Sequence, residues 1–460
     1  MFKGKAIIEL TDVNTNNTEV YEEENLVTNA VKDIFSLNPS GLMYPLQSGG
    51  VGFSNELFPI ANRCYGGILL FEDRLEEDPN KYIVPSSNNI IGHASDNVNP
   101  SDYEKRGSAN LAESKALENG YKFVWDFSTS QANGKISALA LTHYKAGRFF
   151  YGNKYGRNAL LPLNSIDKSN TSYEIIRIYI GMVEADIKNN TFTSIFLRKD
   201  KKLEIVKFKE DYLSVGLNNP LAGYTVQKID KKVIDLSKTC ENIYNWKEWN
   251  FFDGKDGYWY GFIKAGKLKR IKIKKSDYSY TVEDFDIGKI SLYSLGAYSE
   301  NSNGSCSRTI YSAVNNGYLY VSDFDKVNIY KININNPVDI TKIPLDFKGK
   351  IAYGRGSSNG VYKLGDYILC YNFEINSKDE VIKSFSNEYE GVSLDGVSTE
   401  LIEIGPFRLG YGEYDDRLYK KLFLHTPYLG TINNLSTPIL KTADKTMKIT
   451  YTLTEEEGNE

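Results

Sequence analysis

Proton transfer, nucleophilic attack and metal binding each need particular side chains at defined spacings, and this chain offers few. It has three histidines, His93, His143 and His425. None stands in an H-x-x-H or H-E-x-x-H pattern, and no G-x-S-x-G segment seats a serine nucleophile. Histidines so placed read as structural. The 59 acidic residues supply carboxylate pairs throughout the chain. Glycoside cleavage needs two held at a defined separation across a cleft, which spacing along a chain does not give. The segment Gly354-Arg355-Gly356-Ser357 reads as a loop after a strand. Asp253-Gly254-Lys255-Asp256-Gly257 has the outline of a calcium loop. Lys255 stands where an oxygen ligand is wanted, and no suitably spaced Glu follows, so a tight turn is the better reading. Cys64, Cys240, Cys306 and Cys370 are far apart and form no C-x-x-C pair. They read as isolated buried thiols rather than a disulfide framework or a zinc site. No catalytic residue, metal or cofactor is expected.

Binding is better served than chemistry. Residues 244–260 contain Tyr244, Trp246, Trp249, Phe251, Phe252, Tyr258, Trp259 and Tyr260. Trp and Tyr stack on sugar faces and anchor interfaces at low entropic cost. Trp246, Trp249, Phe252 and Tyr258 are therefore the candidate ligand-binding residues. The competing reading is that such rings fill a core, above all Phe251 and Trp259. A weak single site suffices if several copies act together, because avidity multiplies without new contacts.

The elements that must position these rings are strands. Of 460 residues, 34 are Tyr and 22 Phe, and polar turn residues punctuate the chain. Aromatic enrichment with frequent turns favours sheets. The length allows two or three domains. The net charge is −4 with both signs interspersed, which is not the concentrated positive field that nucleic acid requires. Lys and Ile alternate over Leu268 to Ile273, as in a strand with one solvated face. The first residues form no apolar leader. No run approaches the roughly 20 apolar residues of a membrane span. Synthesis in a cytoplasm is expected and, if the protein acts outside a cell, departure by lysis or as part of a particle.

Along the chain, residues 3–24 predict a β-hairpin with Ala6, Ile8 and Leu10 on one face. Apolar residues at helical spacing predict a short helix over 26–37, and a second is expected over 109–118. Phe123, Trp125 and Phe127 share a strand face; Asn133-Gly134 marks a turn, and Ile136 to Thr142 a return strand. Strand-like runs follow at Tyr173–Ile180, Thr191–Leu197, Leu203–Phe208, Tyr258–Ile263, Leu268–Ile273, Tyr318–Val321, Val327–Ile332 and Tyr367–Phe373. The unit Asp256-Gly257-Tyr258-Trp259-Tyr260 with its return strand has a counterpart at Asn316-Gly317-Tyr318-Leu319-Tyr320 and a weaker one at Gly365-Asp366-Tyr367-Ile368-Leu369. A turn, an aromatic strand and a return strand repeated at roughly 40–60 residues is the pattern of a propeller blade. Ordinary hairpins in a sandwich are the alternative. At the far end, Met447, Ile449, Tyr451 and Leu453 alternate with polar residues, a strand with one buried face.

The expected fold is mainly β. Residues 1–160 and 400–460 make an outer β-sandwich-like domain, and 165–400 an inserted β-propeller-like domain. Chain ends that lie together make such an insertion tolerable.

Three stretches carry a resemblance: Glu24-Asn25-Leu26-Val27-Thr28-Asn29-Ala30-Val31, the run from Gly107 through Gly120-Tyr121-Lys122-Phe123-Val124-Trp125 to Ile136, and Lys441 to Tyr451. They resemble tail and baseplate proteins from phages and phage-tail-like particles of Gram-positive, chiefly clostridial, bacteria. The likeness covers about the first 145 and last 25 residues. It implies that the outer domain attaches to the particle and the middle faces the host, and it brings no catalytic motif. The expected protein is a non-enzymatic virion tail-tip, baseplate or tail-fibre component that binds a host surface glycan or surface-layer protein. Its expected partners are other tail or baseplate proteins and copies of itself, a homo-oligomer with a trimer as first choice. Nucleic-acid binding and membrane insertion are not expected. The alternatives are a purely architectural connector or decoration protein and a cell-wall glycan hydrolase on a propeller.

Overall fold

A computed structural model describes residues 2–31, 64–99, 103–144, 146, 160–167, 173–186, 189, 191–210, 226–240, 248–300, 306–349, 351, 360–370, 373–383, 402–414, 417–424 and 426–455. The protein is mainly β, built as several separate sheets.

The two ends of the chain form one structure. Strands β1 (Phe2–Asp12) and β2 (Thr18–Glu24) make the expected hairpin. The last strand, β33 (Lys445–Glu455), runs antiparallel to β1 along its whole length. Its other edge pairs with β8 (Gly120–Phe127), which also carries β6 (Ser108–Ala109) and β7 (Lys115–Leu117). The register follows the side-chain alternation. Ile8 lies opposite Ile449, and Ile449 opposite Trp125. All three are buried in one core with Leu10, Phe127, Met447 and Tyr451. A slip of one residue would turn every one of them to solvent.

A second sheet packs on that face. Its order is β3 (Leu26–Val27), β32 (Thr431–Lys441), β9 (Gly134–Thr142), β4 (Gly67–Phe71) and β5 (Ile90–Ala94). Ile68, Leu70, Ile136, Leu139 and Leu141 point to the shared core. Leu69, Phe71, Ala138 and Ala140 point the other way, under Leu75, Val84 and Ile90. Covered on both faces, β4 and β9 read as nearly continuous apolar runs. This corrects the expected hairpin of residues 121–142. After β8 the chain does not return beside it; the turn at 128–133 carries it across to the second sheet.

Other local expectations also change. Residues 29–31 are helical, but Leu26–Val27 is a strand, and the rest of the expected first helix lies outside the described residues. The second expected helix is absent: 109–118 is strand, turn, strand. Asn110 Oδ1 accepts the Glu113 N–H at 3.1 Å and Ser114 Oγ the Val124 N–H at 2.9 Å. Such side chains offer the backbone an alternative to helix. Conversely, Tyr173–Ile180 is a helix, α1, not a strand. Its Ile176, Ile178, Tyr179 and Ile180 are buried while Glu174 and Arg177 share a more open side, and a short apolar run cannot separate the two states by periodicity.

The middle of the chain forms five four-stranded antiparallel sheets. The first holds β11 (Met182–Asp186), β12 (Thr191–Leu197), β13 (Lys202–Glu210) and β14 (Val226–Asp235). The second holds β15 (Trp249–Asp253), β16 (Tyr258–Ala265), β17 (Lys267–Lys274) and β18 (Tyr280–Asp284). A hairpin, β19 (Gly296–Glu300) and β20 (Cys306–Ile310), precedes the third: β21 (Ser312–Asn315), β22 (Tyr318–Ser322), β23 (Asn328–Asn333) and β24 (Ile340–Pro344). The fourth is β25 (Tyr362–Leu364), β26 (Tyr367–Leu369), β27 (Phe373–Ile375) and β28 (Val381–Lys383), so the expected run Tyr367–Phe373 is two strands. The fifth joins β29 (Ile402–Ile404), β30 (Phe407–Tyr414) and β31 (Arg417–Leu424) to β10 (Leu160–Asp167), which comes from before the first sheet. Residues 402–424 thus pair with β10 rather than with the sheets formed by the chain ends.

First strands approach one another from sheet to sheet: β11 meets β15, β15 meets β21, and β21 meets β25. Helix α1 touches β12 of the first sheet and β30 of the last. Ion pairs help tie the first seam. The Lys275 ammonium lies 2.7 Å from both Glu184 and Asp253, and Trp259 Nε1 donates to Glu184 at 2.9 Å.

Candidate functional site

The five sheets have two ends, one where their first strands begin and one where those strands finish. The finishing end meets the sheets built from the chain termini. Ser86 Oγ donates to Asp366 at 2.7 Å and accepts the Ser377 N–H at 2.8 Å. Asp366 and Ser377 sit in the turns after β25 and β27. Ile83 lies against Gly365 in the first of them. Chain direction then places the starting end away from this contact.

At the starting end the hairpin β19–β20 crosses between sheets. Arg308, 3 % exposed, donates to the Ile180 carbonyl just before β11 at 2.9 Å and to Asn250 Oδ1 on β15. Its guanidinium lies 4.5 Å from the centre of the Trp249 ring. Asn250 Nδ2 donates to the Ser312 carbonyl at the start of β21 at 3.1 Å. The Val361 N–H donates to the Ile310 carbonyl at 3.1 Å, adding the start of β25. One buried cation therefore joins the starts of several sheets, and the hairpin occupies the place where they converge.

Beside the hairpin lies an open groove of about 540 Å³. Its walls are the β16–β17 turn, residues 264–268, and the segment 284–295 that leaves β18. Between Phe285 and Ser291 this segment belongs to no strand. Leu268, Ile287, Ile290, Leu292 and Leu295 supply an aliphatic lining. Charges of both signs stand at the rim. Glu248 pairs with Lys264 at 3.5 Å, and Asp284 with Lys267 at 3.6 Å and with Lys269. The bond from Lys269 holds the Asp284 carboxyl below the usual range. A carboxyl so held is a poor proton donor near neutral pH. Neither His nor Cys lines the groove. Among the described residues no three His, Cys, Asp or Glu side chains gather as a metal site would require.

The next turn along this end, between β22 and β23, carries Phe324, 65 % exposed. The turn is rigid. Asp323 Oδ1 accepts the Val327 N–H at 2.9 Å and the Asn328 N–H at 3.2 Å, and Phe324 N–H donates to the Ser291 carbonyl at 3.0 Å. Tyr293 packs edge-on against Tyr311 at 5.3 Å, with Lys326 4.2 Å above its face.

The sequence candidates fall elsewhere. Trp246 lies outside the described residues. Trp249 and Phe252 are each 1 % exposed, with no ring face open to a ligand. Trp249 packs on Phe196, Phe251 and Tyr298 in one core, whereas Phe252 faces Phe262 in another. Tyr258 is half-buried, begins β16 at the opposite end from Trp249, and has Lys272 4.1 Å over its ring. The three described ones, Trp249, Phe252 and Tyr258, are not brought together. Alternation of Trp249 and Phe251 against Asn250 is what a covered strand requires, and it outweighed the aromatic count. Phe324 carried a signal that was missed: a lone aromatic inside the polar turn Asp323-Phe324-Asp325-Lys326 has no strand face to fill. Arg308 carried none.

Other residues weighed for chemistry are occupied. His93 and His143 are buried; His425 and Gly354–Ser357 lie outside the described residues. Cys64, Cys240 and Cys370 are buried thiols in no disulfide. The Asp253–Gly257 segment is the β15–β16 turn: Asp253 accepts the Lys255 N–H at 2.8 Å, and Asp256 accepts the Tyr258 N–H at 3.1 Å and the Tyr260 hydroxyl at 2.6 Å. No helix among the described residues is long and apolar enough to cross a membrane.

No known protein family and no curated protein matches the chain. Solved structures with partial likeness include a luciferin-regenerating enzyme, 9 % identical over 56 % of this chain and 95 % of that one, at a TM-score of 0.28. A GH62 α-L-arabinofuranosidase of Coprinopsis cinerea is 12 % identical over 60 % and 96 %, at 0.25. A GH43 β-1,3-galactosidase is 10 % identical over 58 % and 59 %, at 0.29. At such TM-scores none of them carries an argument about fold or activity.

Proposed function

We propose that this protein is a non-enzymatic component of a phage tail tip or phage-tail-like particle, with a docking module at one end and a host-facing head at the other. The docking module is a β-sandwich made from residues 2–144 and 426–455. The head is a five-bladed propeller-like ring whose last blade is closed by β10. The observation that carries this reading is the pairing of β1 with β33. It places both ends of the described chain in one module, so that the head projects as an insertion. The Ser86 contact supports the same polarity, since it leaves the starting end of the head facing outward. Occupation of the convergence point by Arg308 and its hairpin favours binding over a propeller hydrolase working at the ring centre. A symmetric particle would present several copies, for which a trimer is the first choice, and weak single sites would then add.

Immunogold labelling of particles released from the producing strain tests the reading. Label at the tail tip is the expected result. Particles that lack the chain, or release of reducing sugar from cell walls by the purified protein, would overturn it.

A further inference from the structure

We infer that the groove between residues 264–268 and 284–295, with Phe324 beside it, is the head's contact surface, and that its occupant is a polypeptide of the host surface rather than a glycan. The inference rests on the proposed polarity of the molecule and adds the partner's chemistry. Four observations carry it.

The groove is at the starting end, away from the Ser86 contact. Its apolar lining is aliphatic apart from the buried Phe285, through Leu268, Ile287, Ile290, Leu292 and Leu295. A sugar needs flat ring faces to stack on; the ring in the lining, Phe285, is 2 % exposed and packed edge-on against Phe262 at 5.0 Å, and nearby Tyr293 has Lys326 over its face. Aliphatic slots suit Leu, Ile or Val side chains of a protein segment.

Glu248, Lys264, Asp284 and Lys267 pair among themselves at the rim, and Asp286 and Lys289 stand exposed at one lip with opposite charges. This complements a peptide whose apolar anchor is flanked by acidic and basic residues. A neutral glycan gains little from it. Finally, Phe324 is exposed on a turn whose backbone is held by the Asp323 and Ser291 bonds. An exposed aromatic on a held backbone has only two side-chain torsions left to order on binding, which suits an interface anchor.

The test uses the whole protein and intact clostridial cells, untreated, shaved with protease, or oxidised with periodate. Protease should abolish binding, and periodate should leave it intact. Phe324→Ala and Ile290→Asp should each weaken binding at least about tenfold, the scale of one interface anchor. Unchanged thermal midpoints show that both variants fold. Binding that survives protease but is lost to periodate overturns the polypeptide occupant and leaves the particle role standing. Full binding by both folded variants overturns the groove as the site. Failure of the wild type to bind any of the cells overturns the host-facing role itself.

Discussion

The sheets built from the chain ends and the five central sheets both bury apolar strand faces, but they place their buried charge differently. In the first region the largest buried polar groups are satisfied by neutral oxygens. Lys441, 1 % exposed, donates to the Ser128 carbonyl at 2.8 Å and to Asn133 Oδ1 at 2.8 Å. The Tyr451 hydroxyl donates to Thr431 or Asn433 at 2.9 and 2.8 Å. In the central region the seams carry ion pairs: Lys275 with Glu184 and Asp253 between the first and second sheets, and Lys331 with Asp379 at 2.8 Å between the third and fourth. The difference follows from architecture. Two sheets stacked face to face share one continuous apolar interface. Successive small sheets meet along narrow seams, where long charged side chains reach across. Acid and salt should therefore loosen the centre before the ends.

The strongest way to break the comparison is to destabilise the end-built sheets until they open first. Trp125 is 1 % exposed, stacks parallel to Phe123 at 5.5 Å, and donates through Nε1 to the Ser95 carbonyl at 2.8 Å. Trp125→Ala is expected to cost about 3–5 kcal/mol, as large core deletions do. Hydrogen exchange should show protection lost in β1, β8 and β33 while β12 and β16 keep theirs. Equal loss in both regions would mean that they unfold as one unit.

Arg308→Ala makes the opposite cut. It strips bonds from the Ile180 carbonyl and Asn250 and removes the cation over Trp249. The expected loss is about 1–3 kcal/mol, the cost of leaving buried polar groups unpaired. Exchange should quicken at the starts of β11, β15 and β21 and not at β33. Unchanged protection there would show that the hairpin merely rests on the ring.

How far the sequence disclosed this depends on whether one strand face was enough to decide. The 447–453 alternation identified β33, and the same alternation in Ala6, Ile8 and Leu10 identified β1, because each strand has one wet face; that the two pair edge to edge came only with the structure. β9 and α1 are apolar on nearly all sides, and there the pattern cannot name the neighbour or even the state. The repeated Gly-Tyr units at 257 and 317 correctly marked the turns into β16 and β22, where Gly257 and Gly317 take φ of 88° and 78°. The site was less legible. Aromatics were sought where they are dense, and dense aromatics in strands are core. The groove is built by a strandless segment whose aliphatic residues face it only because the β16–β17 turn folds over them.

A smaller effect separates the two regions by the sign of their pH response. Burial lowers the Lys441 ammonium to about 8, with Asp444 pulling weakly the other way. The folded value lies below the ordinary 10.5. Between those two pH values the unfolded chain binds more protons, so stability rises with pH. Wild type should gain urea resistance from pH 8 to 10 relative to Lys441→Met, in which the gain is absent. Parallel pH curves for the two proteins would refute the buried-ammonium account.

The smallest effect tests the acid limb of the central sheets. Glu174, in the first turn of α1, lies 2.6 Å from the Lys228 ammonium and 3.0 Å from that of Lys231, both on β14. Those two bonds hold its carboxyl at about 2, below the ordinary 4.5. The contribution is therefore complete above pH 4.5 and disappears as pH falls toward 2. Glu174 is about one-third exposed, so solvent screening keeps the effect to about 1 kcal/mol or less. Glu174→Gln should lower the urea midpoint at pH 6 and converge with wild type by pH 2. High salt at pH 6 should shrink the gap, since exposed pairs are screened. A gap that persists at pH 2 would assign the loss to helix packing, and the contrast between ion-tied seams and an oxygen-satisfied core would lose its acid arm.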